Sequence, residues 1–388
     1  MVTSALDIRK LCPDELRFGP IVYVSASAPP GGDGLSLATA YQSLGPAFTA
    51  AHRRRIRIYP GVYDCTGLTI SPDADRGPTA LIAMAPGVRL RETGLSSAWT
   101  LVTGTTYQAS TDGTDHYQVI DLAQLAGDGY GTLLTTAASL IACEATPGSM
   151  YIDTGLSKLY VNRVGGSAPD TNLLVSYTNT SMLGLANYAY LFDGITFEGA
   201  RRVYAVDSTL DCKVWSYNCR HGYQFRGPTQ LSSFGACYRQ LDTAYRTPMD
   251  ATGASWDYNN INSLPGIIPV LHVDVSHDAH DPAASGSQGS LLPRGVGVQL
   301  ACYNGSATHA PGYVVLEQSG GFALFVGTLL GYSNAPSGAT NTALRIDDTV
   351  YTDHAKLLGC DQATAGSGGW YDRDSTTTGT TITANPWP

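Results

Sequence analysis

The stretch that decides the fold is "IVYVSASAPPGGDGLSLATAYQSLGPAFTAAHRRRIRIYPGVYD", residues 21–64. An alternating strand (Ile21–Ser25) leads through a glycine-rich turn (Gly31–Gly34) into a helical segment at about 43–52. The apolar residues of that segment, Leu44, Ala47, Phe48 and Ala51, follow helical spacing. A second alternating strand, "RIRIYPGVY", comes next. The stretch therefore predicts a strand, a short helix and a second strand, in that order.

Composition favours a turn-rich all-β chain. Of the 388 residues, 43 are glycine, 21 are proline and 23 are tyrosine, whereas charged residues make up only 14%. The net charge of −9 argues against a nucleic-acid partner, since phosphates require clustered lysine and arginine. No segment is long and apolar enough to span a membrane, and residues 1–20 lack the apolar region of a signal peptide.

The eight cysteines predict buried free thiols and a repeating structure. They stand at positions 12, 65, 143, 212, 219, 237, 302 and 360 and form no CxxC or zinc-ligand spacing. This pattern is typical of a protein made in a reducing compartment. Several of the cysteines recur at similar places in short strands, which suggests repeats of roughly 18–30 residues with a column of cysteines inside. The alternative is that the recurrence is due to chance.

Two groups of motifs resemble a known superfamily. Tyr23-Val24, Gly32-Asp33-Gly34 and Pro60-Gly61-Val62-Tyr63 are similar to the N-terminal cap of right-handed parallel β-helices of the pectate-lyase-like superfamily. Gly148-Ser149-Met150-Tyr151 and Leu159-Tyr160-Val161 resemble the β-subdomain that many members carry as an insertion. The resemblance implies an all-β, right-handed parallel β-helix with an N-terminal capping helix and an inserted antiparallel β-subdomain.

These observations predict five regions. Residues 1–20 form an N-terminal anchor segment, 21–90 the cap and first β-helix repeats, and 91–180 the inserted β-subdomain. The main β-helix follows at 181–361, and residues 362–388 form a C-terminal tail or cap, because the strand pattern fades after Cys360. Turns of antiparallel hairpins are expected in the insertion at Thr154-Gly155 and Gly165-Gly166.

The polar cluster "LHVDVSHDAHD", residues 271–281, is the first candidate for chemistry. Strand alternation predicts that Leu271, Val273 and Val275 face the core and that His272 and Asp274 face outward. The rest, with His277, Asp278, His280 and Asp281, is expected in a turn. Three interpretations stay open: a weak metal site at the two turn histidines, a glycosidase carboxylate pair, or polar residues that satisfy turn backbone groups.

The candidate catalytic residues are Asp274, His277, Asp278, Asp281 and Arg239. A polysaccharide lyase needs a base and a cation, either Ca²⁺ or arginine, to neutralise the carboxylate of a uronate. Lysine is scarce in the predicted β-helix, so Arg239 and Arg246, one expected repeat before His272, would substitute. No stretch matches a pectate lyase signature, and no cofactor is expected unless a lyase uses Ca²⁺. Whether the protein is an enzyme stays open.

Aromatic residues provide a second candidate site. They are dense between positions 188 and 303, and tyrosine and tryptophan combine an apolar ring with a polar tip. Stacked on neighbouring repeats, such rings would form a flat platform suited to sugars. The predicted carbohydrate-binding residues are Trp215, Tyr217, Tyr238, Trp256 and Tyr258.

The resemblance and the missing signal peptide together imply a phage or phage-like spike or tailspike protein. We expect a virion-associated homotrimer that recognises host capsule or lipopolysaccharide and attaches to other virion proteins through residues 1–20. The alternatives are an active depolymerase, either lyase or glycoside hydrolase, and a structural decoration protein without sugar activity. A secreted location is the alternative to the virion. Fold-level analogy alone does not decide among them.

Overall fold

A computed structural model describes much of the chain. The described residues are 7–50, 55–65, 68–70, 78–126, 131–177, 181–185, 188–199, 202–206, 212–223, 229–231, 236–245, 257–259, 268–273, 276–280, 290–292, 295–300, 302–307, 313–317, 322–326, 329–332, 342–346, 349–353, 355–358, 362–365, 369–373, 375–378 and 385–386. Four short helical segments occur in them: a 3-10 helix Ile8–Leu11 and the α-helices Asp14–Phe18, Leu44–Thr49 and Leu140–Ala145.

Two long parallel sheets dominate the architecture. Sheet A contains, in spatial order, Ile21–Val24, Arg55–Ile58, Thr79–Ala83, Tyr188–Asp193, Cys212–Tyr217, Ala236–Gln240, Ile268–Val273, Gly295–Leu300, Phe322–Val326, Thr349–Asp353, Gly369–Arg373 and Asn385–Pro386. Sheet B contains Gly61–Asp64, Val88–Glu92, Thr196–Gly199, Arg220–Gly222, Thr243–Tyr245, Ser276–His280, Tyr303–Ala307, Leu329–Tyr332, Lys356–Leu358 and Thr376–Thr378. Within each sheet the chain order equals the spatial order, so successive repeats stack on one another.

A third set of parallel strands follows the first two in most of the described repeats. One part contains Thr69–Ile70, Ser181–Leu185, Arg202–Val206, Thr229–Leu231 and Asp257–Asn259, and the other contains Ser290–Leu292, Tyr313–Glu317, Thr342–Ile346 and Gln362–Ala365. We call these two parts sheet C. The chain enters the three sheets in turn, as in Tyr188–Asp193, Thr196–Gly199 and Arg202–Val206. The expectation of an all-β chain with parallel sheets is confirmed.

One apolar interior lies between the three sheets. Its largest cluster draws Val22, Val24, Ile56, Ile58, Leu81, Tyr190, Phe192, Val214 and Cys237 from sheet A, Tyr63, Val88, Leu90 and Phe197 from sheet B, and Met182, Leu183 and Leu185 from sheet C. In the first two strands of sheet A, Ile21–Val24 and Arg55–Ile58, buried residues alternate with partly exposed ones. This period of two assigns one side of each strand to the interior and the other to the outer face.

The N-terminal cap is formed as the sequence predicts, although its helix is shorter. Helix Leu44–Thr49 inserts Leu44, Ala47 and Phe48 into the interior cluster. The turn before it requires glycine at position 34, where φ is +73° and a Cβ would lie 2.4 Å from the ring of Tyr41. The cap therefore closes the end of the apolar interior.

An antiparallel subdomain interrupts the parallel sheets after Glu92. One sheet contains Tyr117–Leu125, Gly131–Leu133 and Leu173–Tyr177, and the other contains Thr100–Thr103, Thr106–Ser110, Thr135–Thr136, Ser149–Asp153 and Lys158–Asn162, with Thr135–Thr136 joined in parallel. The expected hairpin turn at Thr154-Gly155 is confirmed, since Ser149–Asp153 pairs antiparallel with Lys158–Asn162. The subdomain has its own core, formed by Tyr117, Val119, Leu134, Met150, Leu159, Val161, Leu173, Val175 and Tyr177.

The inserted subdomain packs on the outer face of sheet B. Arg91 Nε lies 2.7 Å from Glu198 Oε2, and Arg91 Nη1 donates to the carbonyl of Thr171 in the insertion at 2.8 Å. Tyr223 contacts Ile120 and Leu174, and its hydroxyl accepts a hydrogen bond from the backbone N–H of Gly131 at 3.0 Å. Apolar and charged contacts thus hold the insertion on this face.

Residues 7–18 pack on the outer face of sheet A instead. Their buried apolar residues recur every fourth position, and they meet side chains from five neighbouring strands. The resulting cluster contains Ile8, Cys12, Leu16, Ala80, Ala189, Leu191 and Trp215, with Ile82, Tyr217, Tyr238 and Leu271 packed against it. This segment, which we call the strap, belongs to the region that the sequence assigned to an anchor.

Three sequence expectations differ from the structure. The stretch predicted as a turn forms the sheet B strand Ser276–His280, because it pairs in parallel with Thr243–Tyr245 and Tyr303–Ala307. Leu271, expected in the core, packs on the outer face of sheet A, since the strap makes that face apolar. The parallel pairing also does not fade after Cys360, as Thr349–Asp353 pairs with Gly369–Arg373.

The six cysteines whose side chains the structure describes are buried but do not form one column. Cys12, Cys65, Cys143, Cys219, Cys237 and Cys302 are free and buried. The sheet A register pairs Cys237 with Val214 on one side and Val270 on the other, whereas Cys219 lies between a sheet A strand and a sheet B strand. Valine and cysteine therefore share this interior column as small apolar residues.

Candidate carbohydrate-binding face

An apolar and aromatic row crosses the outer face of sheet A. The parallel register pairs Leu191 with Trp215, Trp215 with Tyr238, and Tyr238 with Leu271. The rings of Trp215 and Tyr238 stack with centroids 5.1 Å apart and planes inclined by 16°. Two of the predicted carbohydrate-binding residues thus form a continuous aromatic surface on adjacent repeats.

A second row, more polar, runs beside the first. Two residues further along each strand, the register pairs Asp193 with Tyr217 and Tyr217 with Gln240. Because side chains two apart lie on the same side of a strand, these groups border the aromatic row. We call Trp215, Tyr238, Asp193, Tyr217 and Gln240 the aromatic face. It combines ring surfaces with a carboxylate and an amide, the groups that contact sugar rings and hydroxyls.

The strap binds the polar row through three directed contacts. The backbone N–H of Ile8 donates to Gln240 Oε1 at 3.0 Å. The guanidinium of Arg9 lies 3.8 Å from the centroid of the Tyr217 ring, and its Nη1 is 3.4 Å from Asp193 Oδ2. Arg9 also donates to both carboxylate oxygens of Asp7, at 3.0 and 3.1 Å. One guanidinium therefore joins two carboxylates and an aromatic ring.

The pKa values of the two carboxylates around Arg9 are shifted in opposite directions. Burial raises the pKa of Asp193, although the positive charge of Arg9 opposes this effect. Hydrogen bonding from Arg9 lowers the pKa of Asp7, although burial opposes it. When the environments of two carboxyl groups move their pKa values apart, one group can serve as an acid and the other as a base. Asp193 is the one that retains its proton more readily.

The interior beneath the aromatic face contains an ion cluster. Arg239 Nη1 lies 3.1 Å from Asp242 Oδ2 and 3.4 Å from His221 Nε2. The other oxygen of Asp242 accepts the backbone N–H of Cys219 at 2.8 Å, and the His221 ring stacks on Phe197 at 5.2 Å. The side chains of Arg239, Asp242 and His221 are all 0% exposed.

The negative charge of Asp242 is stabilised by its neighbours Arg239 and His221 rather than by solvent. Burial acts to raise the pKa of Asp242, but the hydrogen bond from His221 and the charge of Arg239 together lower it. The carboxylate therefore stays ionised beside its guanidinium partner. Arg239, predicted as a catalytic residue, contributes no surface to an outer face on which a polymer would bind, because its guanidinium is enclosed with Asp242.

The remaining predicted residues fall in different places. Trp215 is 4% exposed beneath the strap, whereas Tyr217 and Tyr238 are half-buried. His277 and Asp278 lie in the sheet B strand Ser276–His280, and Tyr258 lies in the sheet C strand Asp257–Asn259. The other three predicted residues, Asp274, Asp281 and Trp256, lie outside the described residues. The side chains that the structure brings together are Trp215, Tyr217 and Tyr238.

Sequence reasoning missed Asp193, Gln240 and the strap. The first two occupy the position of Tyr217 in the neighbouring repeats, so an alignment of the repeats by their strands would have found them. The signal for the strap was the apolar spacing of Ile8, Cys12 and Leu16, which falls on one side of a helix.

Two further observations concern ligands and membranes. Among the described residues, no three histidine, cysteine, aspartate or glutamate side chains form a group that would hold a metal ion. Within the same part of the chain, no helix has the length and hydropathy needed to cross a membrane.

Comparison with known proteins gives a likeness of fold. No protein-family model and no curated protein matches the sequence. A solved structure described as a glycoside hydrolase aligns with a TM-score of 0.50 and 8% identity, over 94% of this chain and 97% of that one. A complex of XylC with xylose aligns with a TM-score of 0.45 and 9% identity, over 91% of this chain and 68% of that one. The tailspike gp61 of Pseudomonas phage phi297 gives 0.21 and 8%, over 90% and 70%. At these identities the first structure shows a shared fold along most of both chains.

Proposed function

We propose that this protein binds polysaccharide on the aromatic face of sheet A. The observation that carries the proposal is the stacked pair of Trp215 and Tyr238, bordered by Asp193, Tyr217 and Gln240 on consecutive repeats. Parallel strands repeat about every 4.8 Å, so the face presents rings and hydrogen-bonding groups in a regular line. Such a line matches an extended polymer better than a compact ligand.

The fold supports this proposal at a coarse level. The alternation of the three sheets is what a right-handed parallel β-helix would produce, and we propose that handedness here. The likeness to a protein described as a glycoside hydrolase agrees with a ligand made of sugars. Because fold does not imply function, we propose sugar binding from the residues of the aromatic face.

We further propose that the protein is a component of the virion of a phage or phage-like particle. In this proposal it is a homotrimeric spike that recognises host capsule or lipopolysaccharide. The sequence resemblance and the stacked parallel sheets support a spike. Immunodetection of the protein in purified particles and sedimentation analysis of its mass test the location and the trimer.

An active glycoside hydrolase is the second candidate. The specific observation in its favour is Asp193, a carboxyl group on the aromatic face whose pKa burial raises. Glycosidic bond hydrolysis needs a carboxylic acid of raised pKa together with a second carboxylate. A lyase would instead need a cation for a uronate carboxylate, and Ca²⁺ is the cofactor we would propose for it. New reducing ends indicate hydrolysis, and unsaturated products indicate a lyase.

The test of binding uses immobilised O-antigen and capsular polysaccharides. We expect the protein to be retained by at least one of them and the Tyr217→Ala and Tyr238→Ala variants to lose roughly tenfold in affinity, equivalent to about 1.4 kcal/mol, because each substitution removes a ring on which a sugar would pack. Tyr151→Ala is the matched control, since Tyr151 stacks on Tyr160 in the inserted subdomain. Equal binding by all variants would exclude the aromatic face.

A further inference from the structure

The strap, residues 7–18, uses the same groups that a sugar would use. The backbone N–H of Ile8 donates to the carbonyl oxygen of the Gln240 amide. The guanidinium of Arg9 packs on the Tyr217 ring and pairs with the Asp193 carboxylate. Trp215 retains only 4% of its surface beneath the apolar side of the strap. A polysaccharide and the strap therefore compete for one surface.

The attachment of the strap is local. It consists of a four-residue 3-10 helix and a five-residue α-helix, and neither adds a strand to sheet A. Its buried side chains are Ile8, Cys12 and Leu16, while Leu11 and Phe18 are 50% and 71% exposed. Isolated helices of this length are unstable in water, so the strap depends on its contacts with the sheet.

The polar contacts of the strap are also accessible to solvent. The side chain of Arg9 is 39% exposed and that of Asp7 is 29% exposed, so water and salt weaken their ion pairs. Lifting the strap leaves the hydrogen bonds between the strands of sheet A in place. Such an element opens by itself at a lower free energy than the whole fold.

We infer that residues 7–18 are a self-occluding strap, which must leave the aromatic face before a polysaccharide binds there. The inference rests on the proposed function and adds its regulation. When only a fraction of the protein is in the conformation that binds the ligand, the apparent affinity is reduced by that fraction. Weakening the strap without changing the face should therefore raise the affinity for polysaccharide.

The first measurement reports the opening of the strap without a sugar. The variant Ile8→Ser/Leu16→Ser removes two buried anchors, and Leu11→Ser/Phe18→Ser replaces two large apolar side chains by serine at exposed positions of the same segment. Peptide mapping after brief alkylation with iodoacetamide measures access to the buried thiol of Cys12. We expect at least roughly tenfold faster alkylation in the first variant and the wild-type rate in the second.

The second measurement is binding of both variants to the immobilised O-antigen and capsular polysaccharides. Faster alkylation of Cys12 together with roughly tenfold tighter binding, for the first variant only, supports the strap. Faster alkylation with unchanged binding overturns the inference but leaves the proposed function intact, provided that Tyr217→Ala and Tyr238→Ala still reduce binding. If even the opened variant binds none of the polysaccharides, the proposed function fails and the inference fails with it.

The design also detects failure of folding. Retained secondary structure by circular dichroism and unchanged slow alkylation of Cys219 and Cys237, which lie in the interior, show that the parallel sheets are intact. Wild-type alkylation of Cys12 in Ile8→Ser/Leu16→Ser would overturn the claim that these two side chains anchor the strap.

Discussion

The inserted subdomain and the strap both cover an outer face of the parallel sheets, but by different means. The subdomain covers an ion pair within sheet B, Arg91 and Glu198, whose side chains are 5% and 4% exposed, and Arg91 also donates to the Thr171 carbonyl of the subdomain. The strap binds sheet A through a few apolar side chains and the ion pairs of Arg9, which is 39% exposed. Enclosed charges must keep their partners, whereas exposed pairs contribute little. The subdomain is therefore a fixed part of the fold, and the strap is the separable part.

Size strengthens the contrast. The subdomain contains two antiparallel sheets and a core of its own, and it holds a second enclosed pair in which Arg163 lies 2.7 Å from Asp121. The strap has no core apart from the sheet on which it packs. A short segment of this kind gains its stability from tertiary packing alone.

The largest expected effect concerns the enclosed pair on sheet B. Glu198→Ala leaves the Arg91 guanidinium buried without its partner, and we expect a loss of about 3–5 kcal/mol in the free energy of unfolding. Denaturant unfolding measures the loss, with Glu15→Ala at an exposed position as the control. The double variant Arg91→Leu/Glu198→Leu should recover much of the stability. A wild-type unfolding midpoint for Glu198→Ala would show that the charges enclosed beneath the subdomain stabilise the fold no more than the exposed ion pairs of the strap.

The second largest effect is expected at low pH, where the stability contributed by enclosed carboxylates should be lost while exposed carboxylates contribute little change. The folded-state pKa of Asp242 lies below its ordinary value of 3.8, so its stabilising contribution is present above that value and is lost as the pH falls through the folded pKa. We expect the free energy of unfolding to decrease below about pH 4. Asp242→Asn should reduce this decrease, and Asp14→Asn, at an exposed site, should not. A decrease of the same size in all three proteins would contradict the assignment.

The third effect is confined to the strap. Leu16→Ala removes a fully buried side chain, and a buried leucine usually contributes about 2–5 kcal/mol. Because the strap opens alone, we expect amide exchange of residues 8–18 to rise by at least roughly tenfold while the interior strands of sheet A stay protected. Leu11→Ala, at an exposed position, is the control. Equal loss of protection in sheet A would show that the strap does not open separately.

The smallest effect concerns Arg9. Arg9→Met keeps the length of the side chain but removes its charge, and we expect a cost of no more than about 1 kcal/mol in closing the strap. Raising the salt concentration should accelerate exchange of the wild-type strap and leave exchange of the Met variant unchanged. Exchange in the inserted subdomain serves as the internal reference. An absence of salt dependence in the wild type would show that the ion pairs of Arg9 do not hold the strap.

Local patterns were sufficient for the cap and for the hairpin at Thr154-Gly155, whereas the strands on either side of Gly165-Gly166 lie in different sheets and form no hairpin. Gly34 and the spacing of Leu44, Ala47 and Phe48 specify a turn and a short helix through backbone strain and periodicity, which neighbouring residues determine. The turn at Thr154 is local in the same sense. The strand Ser276–His280 was mistaken for a turn because pairing with two neighbouring strands outweighed its polar composition.

The candidate site was predictable only in part. Trp215, Tyr217 and Tyr238 were chosen for their chemistry, and the register places them on one face. Asp193 and Gln240 carry no distinctive motif, so their position beside the rings depends on the alignment of repeats far apart in sequence. Arg239 has the same charge in the sequence as an exposed arginine, and only the partner Asp242 reveals that it is enclosed.

The sequence by itself determined an all-β chain with a capped end, an inserted hairpin subdomain and an aromatic-rich middle, since composition and short-range periodicity encode these properties. The tertiary structure alone decided which side of each strand is enclosed. Residues 7–18 cover sheet A and residues from the insertion cover sheet B, so an outward-facing position such as Trp215 or Glu198 becomes buried. Burial depends on what packs against a residue, and that partner lies tens to hundreds of positions away in the chain, as Ile8 does from Gln240.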